Sequence, residues 1–175
     1  NARGEVIFSS NQVGTMRMLL AGLSLLPFSI QAMRQLKQKK DLLYFSIVGV
    51  CGNFIPAFLF TYAETHLSSG LAGIMNSFTP IFTLLVGLLL FSQEITSFQI
   101  IGTCIGFGGI TLLILTGGTI SADGKGLIPS LAIVLATFLY GISLNTIKFK
   151  LSTYKPIHVA SGGFFMVFIP SIIGF

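Results

Sequence analysis

Apolar runs of similar length recur along this chain and are separated by short polar breaks. They extend from about Leu42 to Ala63, Gly70 to Phe91, Ile100 to Thr116 and Leu127 to Thr146, with an earlier run from about Asn11 to Ala32 and a later one starting near Ile157. At a helical rise of roughly 1.5 Å per residue, about twenty apolar residues match a hydrocarbon core about 30 Å thick. The pattern predicts an all-α polytopic membrane protein with about six transmembrane helices. In the third predicted span Pro80 removes a backbone donor and frees the carbonyl of Asn76 four residues earlier. Water, Thr79 or a neighbouring helix has to satisfy that carbonyl, so a kink facing protein or a cavity is expected. Asp41 is the candidate N-cap of the second span.

Composition supports this class. Hydrophobic residues make up 53% of the chain and charged residues 9%, and the mean hydropathy is +0.89, far from the roughly one-quarter charged content of soluble domains. The formal net charge of +5 does not form a nucleic-acid-binding stripe, because the basic residues sit in the breaks. The break MRQLKQKKD holds Arg34, Lys37, Lys39 and Lys40, and KFKLSTYKPIH holds Lys148, Lys150 and Lys155. The other breaks hold only Arg3 and Lys125, so the count is seven basic residues against two. Basic loops are retained on the cytoplasmic side. Four spans separate the two basic breaks, which therefore belong on the same face. Cys51 and Cys104 fall inside spans without a metal-ligand spacing and read as packing residues. His66 and His158 lie at helix ends, read as interfacial, and have no second ligand at metal spacing. No metal, cofactor or nucleic acid is expected; the expected partners are the lipid bilayer and a small-molecule substrate. No cleavable signal peptide is recognisable, and the missing initiator Met and the final apolar run lead us to expect a fragment.

Two spans carry polar faces. Ser46, Gly49, Asn53, Pro56 and Phe60 follow helical spacing towards Glu64, and Ser69, Gly73, Asn76, Pro80, Thr83 and Gly87 do the same in the next span. These faces fit either a shared substrate-lining surface or helix packing held by side-chain hydrogen bonds. Ser130, Thr137, Tyr140, Gly141 and Asn145 offer a further wall on the fifth span. Arg17 interrupts the first span, where its guanidinium can snorkel to the headgroups or serve as a gate or substrate contact. Glu64 is the acid closest to a span on the less basic side, either a coupling or substrate group or the start of a solvated loop. Gly102, Gly106 and Gly109 form a small-residue seam suited to helix packing. A short internal match lays Val13, Gly14 and Thr15 on Val159, Ala160 and Ser161, in segments expected to cross in opposite directions.

The stretch ETHLSSGLAGIMNSFTPIFTLLVGLLLFSQEITSFQIIGTCIGFGGITLLIL resembles the EamA-like domain of the drug/metabolite transporter superfamily. The resemblance rests on Ser69 and Gly70 at a helix start, Thr79 and Pro80 at mid-span, Glu94 in a short turn, then Gly102 and Gly109; Arg17 in TMRMLLAG adds to it. It implies ten spans in two inverted five-helix repeats, with both ends cytoplasmic. Residues 1–117 would then hold most of the first repeat (spans two to five) and residues 126–175 the start of the second (spans six and seven). The implied activity is alternating-access transport of small metabolites or drugs across the cytoplasmic membrane, of bacterial inner-membrane type, with export one direction it allows. Asn53, Asn76, Thr79, Pro80, Tyr140 and Asn145 are the candidate path residues, and Arg17 and Glu64 the candidate gate or coupling residues. Where the family often has Ala-Leu, this chain has Ala63 and Glu64, which makes Glu64 a possible source of individual substrate preference. A small multidrug exporter would need a mid-membrane acid that no span supplies. An enzyme would need clustered acids, a His pair or a nucleophile with its base, and the sequence holds none of these. A non-transporting scaffold or receptor subunit is the remaining alternative.

Overall fold

The computed structural model describes residues 10–116 and 126–173, which leaves Arg3 and Lys125 outside the described residues. Within them the chain is helical, in the order α1 (Ser10–Arg34), α2 (Lys39–Gly49), a π-helical turn (Val50–Phe54), α3 (Ile55–Glu64), α4 (Ser69–Asn76), α5 (Thr79–Phe91), α6 (Ser97–Thr116), α7 (Leu127–Lys150) and α8 (Pro156–Ile173). The α2–α3 and α4–α5 pairs are each one rod, so these helices make six apolar rods at the expected places. Four rods have the length and composition to cross a membrane: 14–34, 39–64, 69–91 and 127–150.

Two of the prolines inside rods, Pro56 and Pro80, act through the groups they lack. Pro56 supplies no N–H to the ladder and its ring crowds the preceding turn. The helix widens into the π turn immediately before it, with the Ile55 N–H bonded to the Val50 carbonyl. Pro80 does more than kink its span. The helix ends at Asn76, turns through Ser77 and Phe78, and restarts at Thr79. Thr79 Oγ1 donates to the Asn76 carbonyl at 2.7 Å, meeting the need that the sequence posed. At the start of α4, Ser68 Oγ accepts from the Leu71 N–H at 3.3 Å, an N-cap of ordinary type. Asp41 is not an N-cap. It sits three residues into the helix start, and its carboxylate accepts the Gln38 N–H at 3.0 Å.

α7 packs against α2, the π turn, α3, α4 and α5. α8 packs against α1 and α2. The α1–α8 pair is antiparallel: Ser29 Oγ donates to the Ser161 carbonyl at 2.9 Å, while Gly22 near the other end faces the Phe168 ring. Close backbone approaches occur where the facing residue has no Cβ. Gly49 abuts Gly163 between α2 and α8, and a Cβ at Gly141 of α7 would sit 2.9 Å from the Phe82 carbonyl carbon and oxygen of α5. α6 lies at the margin, where its main partners among the described residues are α4 and α5. The packing expected at Gly102, Gly106 and Gly109 is made by no described residue, since nothing stands within 4 Å of where their Cβ atoms would be.

The core divides into two clusters at opposite ends. One joins Phe45, Val48, Leu151, Tyr154 and Val159, and the other Ala63, Leu71, Ala72, Met75 and Ile133. At the first end the two basic breaks meet, as the span count requires. The Lys37 N–H donates to Tyr154 Oη at 2.8 Å, Tyr154 Oη donates to the Asp41 carboxylate, and Lys37 Nζ lies 5.4 Å from the Tyr154 ring centre. Burial, reinforced by the hydrogen bond to Asp41, raises the Tyr154 hydroxyl above its ordinary pKa. Phe91 stacks on Phe149 at 5.4 Å, which brings the α5–α6 turn to this same end. That turn is closed by Ser92 in the left-handed region (φ 48°) and by the Gln93 N–H bonded to the Gly87 carbonyl at 3.0 Å.

Candidate functional site

The polar residues of the rods fall between the two apolar clusters and line cavities. One cavity, of about 370 Å³, is bounded by Arg17, Asn53, Phe60, Glu64, Asn76 and Tyr140. A second, of about 770 Å³, extends towards the basic end and is bounded by Asn53, Asn76, Thr79, Pro80, Tyr140 and Pro156. Asn53, Asn76 and Tyr140, together with Gly52 and Phe164, line both. These three polar side chains come from three different rods and stand at the waist between the cavities.

Each is positioned by a local irregularity or an aromatic contact. Asn53 lies in the π turn, where its Nδ2 donates to the Val48 carbonyl at 3.4 Å. π turns place side chains off the regular helical face and often occur at functional sites. Asn76 ends α4 at the proline break, and its Oδ1 lies 3.2 Å from Thr79 Oγ1, which leaves the NH₂ group for the cavity. The Tyr140 ring stacks on Phe60 with centroids 6.1 Å apart. These groups offer amide and phenol hydrogen bonds to a polar solute. Arg17 and Glu64 add one positive and one negative group to the walls of the smaller cavity.

Seven of the eight candidate path and gate residues thus line these two cavities, and Asn145 does not. It is 1% exposed, and its Nδ2 donates to the Thr83 carbonyl of α5 at 2.8 Å and to the Gly141 carbonyl of its own helix at 2.8 Å. It borders a third space, a groove of about 620 Å³ between α5, α6 and α7 that Thr79 and Pro80 also reach, along with Gly102 and Gly106. Its Oδ1 is buried without a partner. Gln93 Oε1 and Asn145 Oδ1 both approach the same point beside Gly87. Turning the Gln93 amide over would present its NH₂ to that oxygen.

Sequence reasoning missed Gly52, Ser143 and Phe164. A Cβ on Gly52 would collide with the Ser143 hydroxyl, so this glycine keeps the second rod close to α7 beside the cavities. Ser143 stands three residues after Tyr140, a spacing that places it on the same helical face. Phe164 lies in an apolar segment whose orientation no periodicity reveals. His158, expected at the interface, is buried at the start of α8 at 4% exposure; its backbone N–H bonds the Lys155 carbonyl at 2.9 Å, which tucks the first turn under the Tyr154 cluster. Among the described residues no group of three His, Cys, Asp or Glu side chains could hold a metal ion.

Apolar rods enclosing cavities lined in part by polar side chains make a multi-pass membrane protein. The model of the EamA-like transporter family matches residues 5–115, and the chain belongs to that family. A protein of Archaeoglobus fulgidus called an uncharacterized transporter is 27% identical over 132 residues, covering 75% of this chain and 45% of the relative. The uncharacterized transporter YdfC of Bacillus subtilis is 23% identical over 131 residues, covering 75% of this chain and 42% of the relative. The matches therefore span less than half the length of these relatives. No solved structure matches. Membership supports a membrane transporter rather than an enzyme.

Proposed function

We propose that this chain forms most of the first repeat and part of the second of a ten-helix carrier that moves small metabolites or drugs across the cytoplasmic membrane by alternating access. The observation that carries the reading is the waist: Asn53, Asn76 and Tyr140 are shared by two cavities that run towards opposite ends of the bundle. A solute held there can be exposed to one side or the other by small shifts of the flanking rods. In this reading the end holding Lys37, Lys148 and Lys155 faces the cytoplasm, Thr79 and Pro80 line the path on that side, and the organism's inner membrane is the site of action.

The inverted-repeat part of the proposal has separate support. Laying Val13–Thr15 on Val159–Ser161 makes Gly22 the counterpart of Phe168. These two residues touch across the antiparallel α1–α8 pair. Equivalent positions in contact are expected on a twofold axis lying in the membrane plane.

Counterflow into proteoliposomes carrying the full-length protein, challenged with amino acids, polyamines and cationic drugs, tests the function. Accumulation of a labelled solute against preloaded unlabelled solute is the expected result. Silence across the panel with folded protein would favour a scaffold.

A further inference from the structure

α2 is held to the bundle by three unlike contacts. At its far end the buried Asp41 carboxylate, 7% exposed, accepts the Tyr154 hydroxyl, which reaches it from the α7–α8 break and itself accepts the Lys37 N–H at 2.8 Å. Along its middle the Phe45 ring packs edge-on to the Tyr154 ring at 5.4 Å. At its near end Gly49 lies against Gly163 of α8, where a Cβ on Gly163 would stand 3.4 Å from the Gly49 nitrogen. Beyond Gly49 the helical ladder is interrupted by the π turn Val50–Phe54, and Pro56 has no N–H to offer the Gly52 carbonyl four residues earlier. π turns and prolines are where helices bend. Asn53 Nδ2 stitches across this interruption to the Val48 carbonyl at 3.4 Å. On the other side the short break 35–38 separates α2 from α1 and leaves it slack.

We propose that α2 is a hinged arm, bending at the π turn and latched at its far end by the Tyr154–Asp41 hydrogen bond, and that Asn53 couples the bend to the cavities. A polar pair inside an apolar cluster suits a latch better than one more apolar contact. Its bond is directional and weakens steeply with misalignment, and either partner left alone in the cluster is costly. The arm therefore has two arrangements rather than a continuum, with the hinge confined to a few residues at the end of an element. The glycine pair supplies the pivot, because no side chain stands between the two backbones that a tilt would have to displace. Val48 and Val159 belong to the cluster beside the latch and also line the larger cavity, so release at Asp41 moves a wall of that cavity. Asn53 sits both in the hinge and at the waist. A bound group that draws its amide from the Val48 carbonyl loosens the hinge. A bend of about 25° over the roughly 15 Å from Lys40 to Val50 carries the tip about 6 Å. The device is a property of the fold; its use in a transport cycle rests on the transport reading.

Paired nitroxide labels on the full-length protein in lipid nanodiscs, read by electron paramagnetic resonance, test the arm. Lys40→Cys and Ser152→Cys, both at exposed positions, report the latched end, and Thr65→Cys with Leu127→Cys, also exposed, serve as a reference at the opposite end. Tyr154→Phe is expected to raise a population displaced by about 6 Å at the Lys40–Ser152 pair five-fold or more, while the reference pair keeps its distance. Asp41→Asn, whose amide oxygen still accepts the Tyr154 hydroxyl, should keep the arm latched. Asn53→Ala, which removes the stitch across the hinge, should raise the displaced population with the latch intact. Pro56→Ala, which returns an N–H beside the π turn, should cut that population at least two-fold in the Tyr154→Phe background. An unmoved Lys40–Ser152 distance in folded Tyr154→Phe protein, equal broadening at both pairs, or no effect of Asn53→Ala overturns the inference. None of these distances requires a known solute, so an unmoved arm leaves the transport reading untouched, and silence in counterflow leaves the arm standing.

Discussion

Asn145 lay on a polar face and was a candidate for the path, yet both its amide hydrogens go to helix carbonyls, one of them across to α5. Its work is to fasten α7 to α5. Asn145→Ala should lower the unfolding free energy by about 1 kcal/mol in denaturation in micelles, the usual scale for a hydrogen bond between helices in lipid. Thr79 has a comparable role within one rod, because its hydroxyl serves the carbonyl that Pro80 leaves without a donor. Thr79→Val should destabilise by about 1 kcal/mol. In Pro80→Ala, where a backbone N–H returns at position 80, the same Thr79 change should cost much less, and a double-mutant cycle reads the difference. At the basic end, Tyr154→Phe removes a donor from buried Asp41 and should cost about 1–3 kcal/mol. The raised Tyr154 pKa also sets a pH dependence. The unfolded chain loses its phenol proton near pH 10 while the folded one keeps it, so this contribution is intact below about pH 10 and falls as pH rises further. Stability curves of wild type and Tyr154→Phe should converge above that pH.

Whether a glycine in a rod matters depends on what its helix faces. A Cβ at Gly141 would meet the backbone of Phe82 and Thr83, which cannot swing aside as a side chain can. Gly141→Val should therefore prevent stable folding or cut the yield of monodisperse protein severely. Gly106→Ala meets nothing among the described residues, and alanine is the better helix former by roughly 1 kcal/mol. Unchanged or slightly raised thermal stability is expected, read by the same size-exclusion and melting assays. The contrast was not visible in the sequence. Gly102, Gly106 and Gly109 form the cleaner spacing pattern, yet close approaches fall at Gly49 and Gly141, which the sequence placed on polar faces without marking them as contacts, and at Gly52. Likewise the polar face of the second rod reads as one stripe, but the π turn divides it. Gly49 packs against α8 while Asn53 turns to the cavities.

The arrangement of the whole molecule puts apolar clusters at the two ends and polar side chains between them, so the most consequential change should be at the waist. Asn76→Leu is expected to abolish solute flux in proteoliposomes while leaving expression and melting temperature near wild type, since Asn76 is exposed to the cavities rather than buried in either cluster. Unchanged flux would remove Asn76 from the path. Much of this arrangement was legible beforehand. Six apolar runs became six rods, and the two basic breaks met at one end through Lys37 and Tyr154. Asn53, Asn76 and Tyr140 came to a common wall. These features follow from local quantities: apolar length against bilayer thickness, loop charge, helical spacing and the donor that a proline lacks. Which neighbour each face meets was decided only in the tertiary structure. Helical periodicity says that Asn145 and Tyr140 share a broad face, but the approach of α5 at Gly141 buries one while the ring of Phe60 leaves the other at a cavity. The same holds for Arg17 and Glu64, far apart in the chain on separate rods, which share a cavity because α1 and α3 pack side by side.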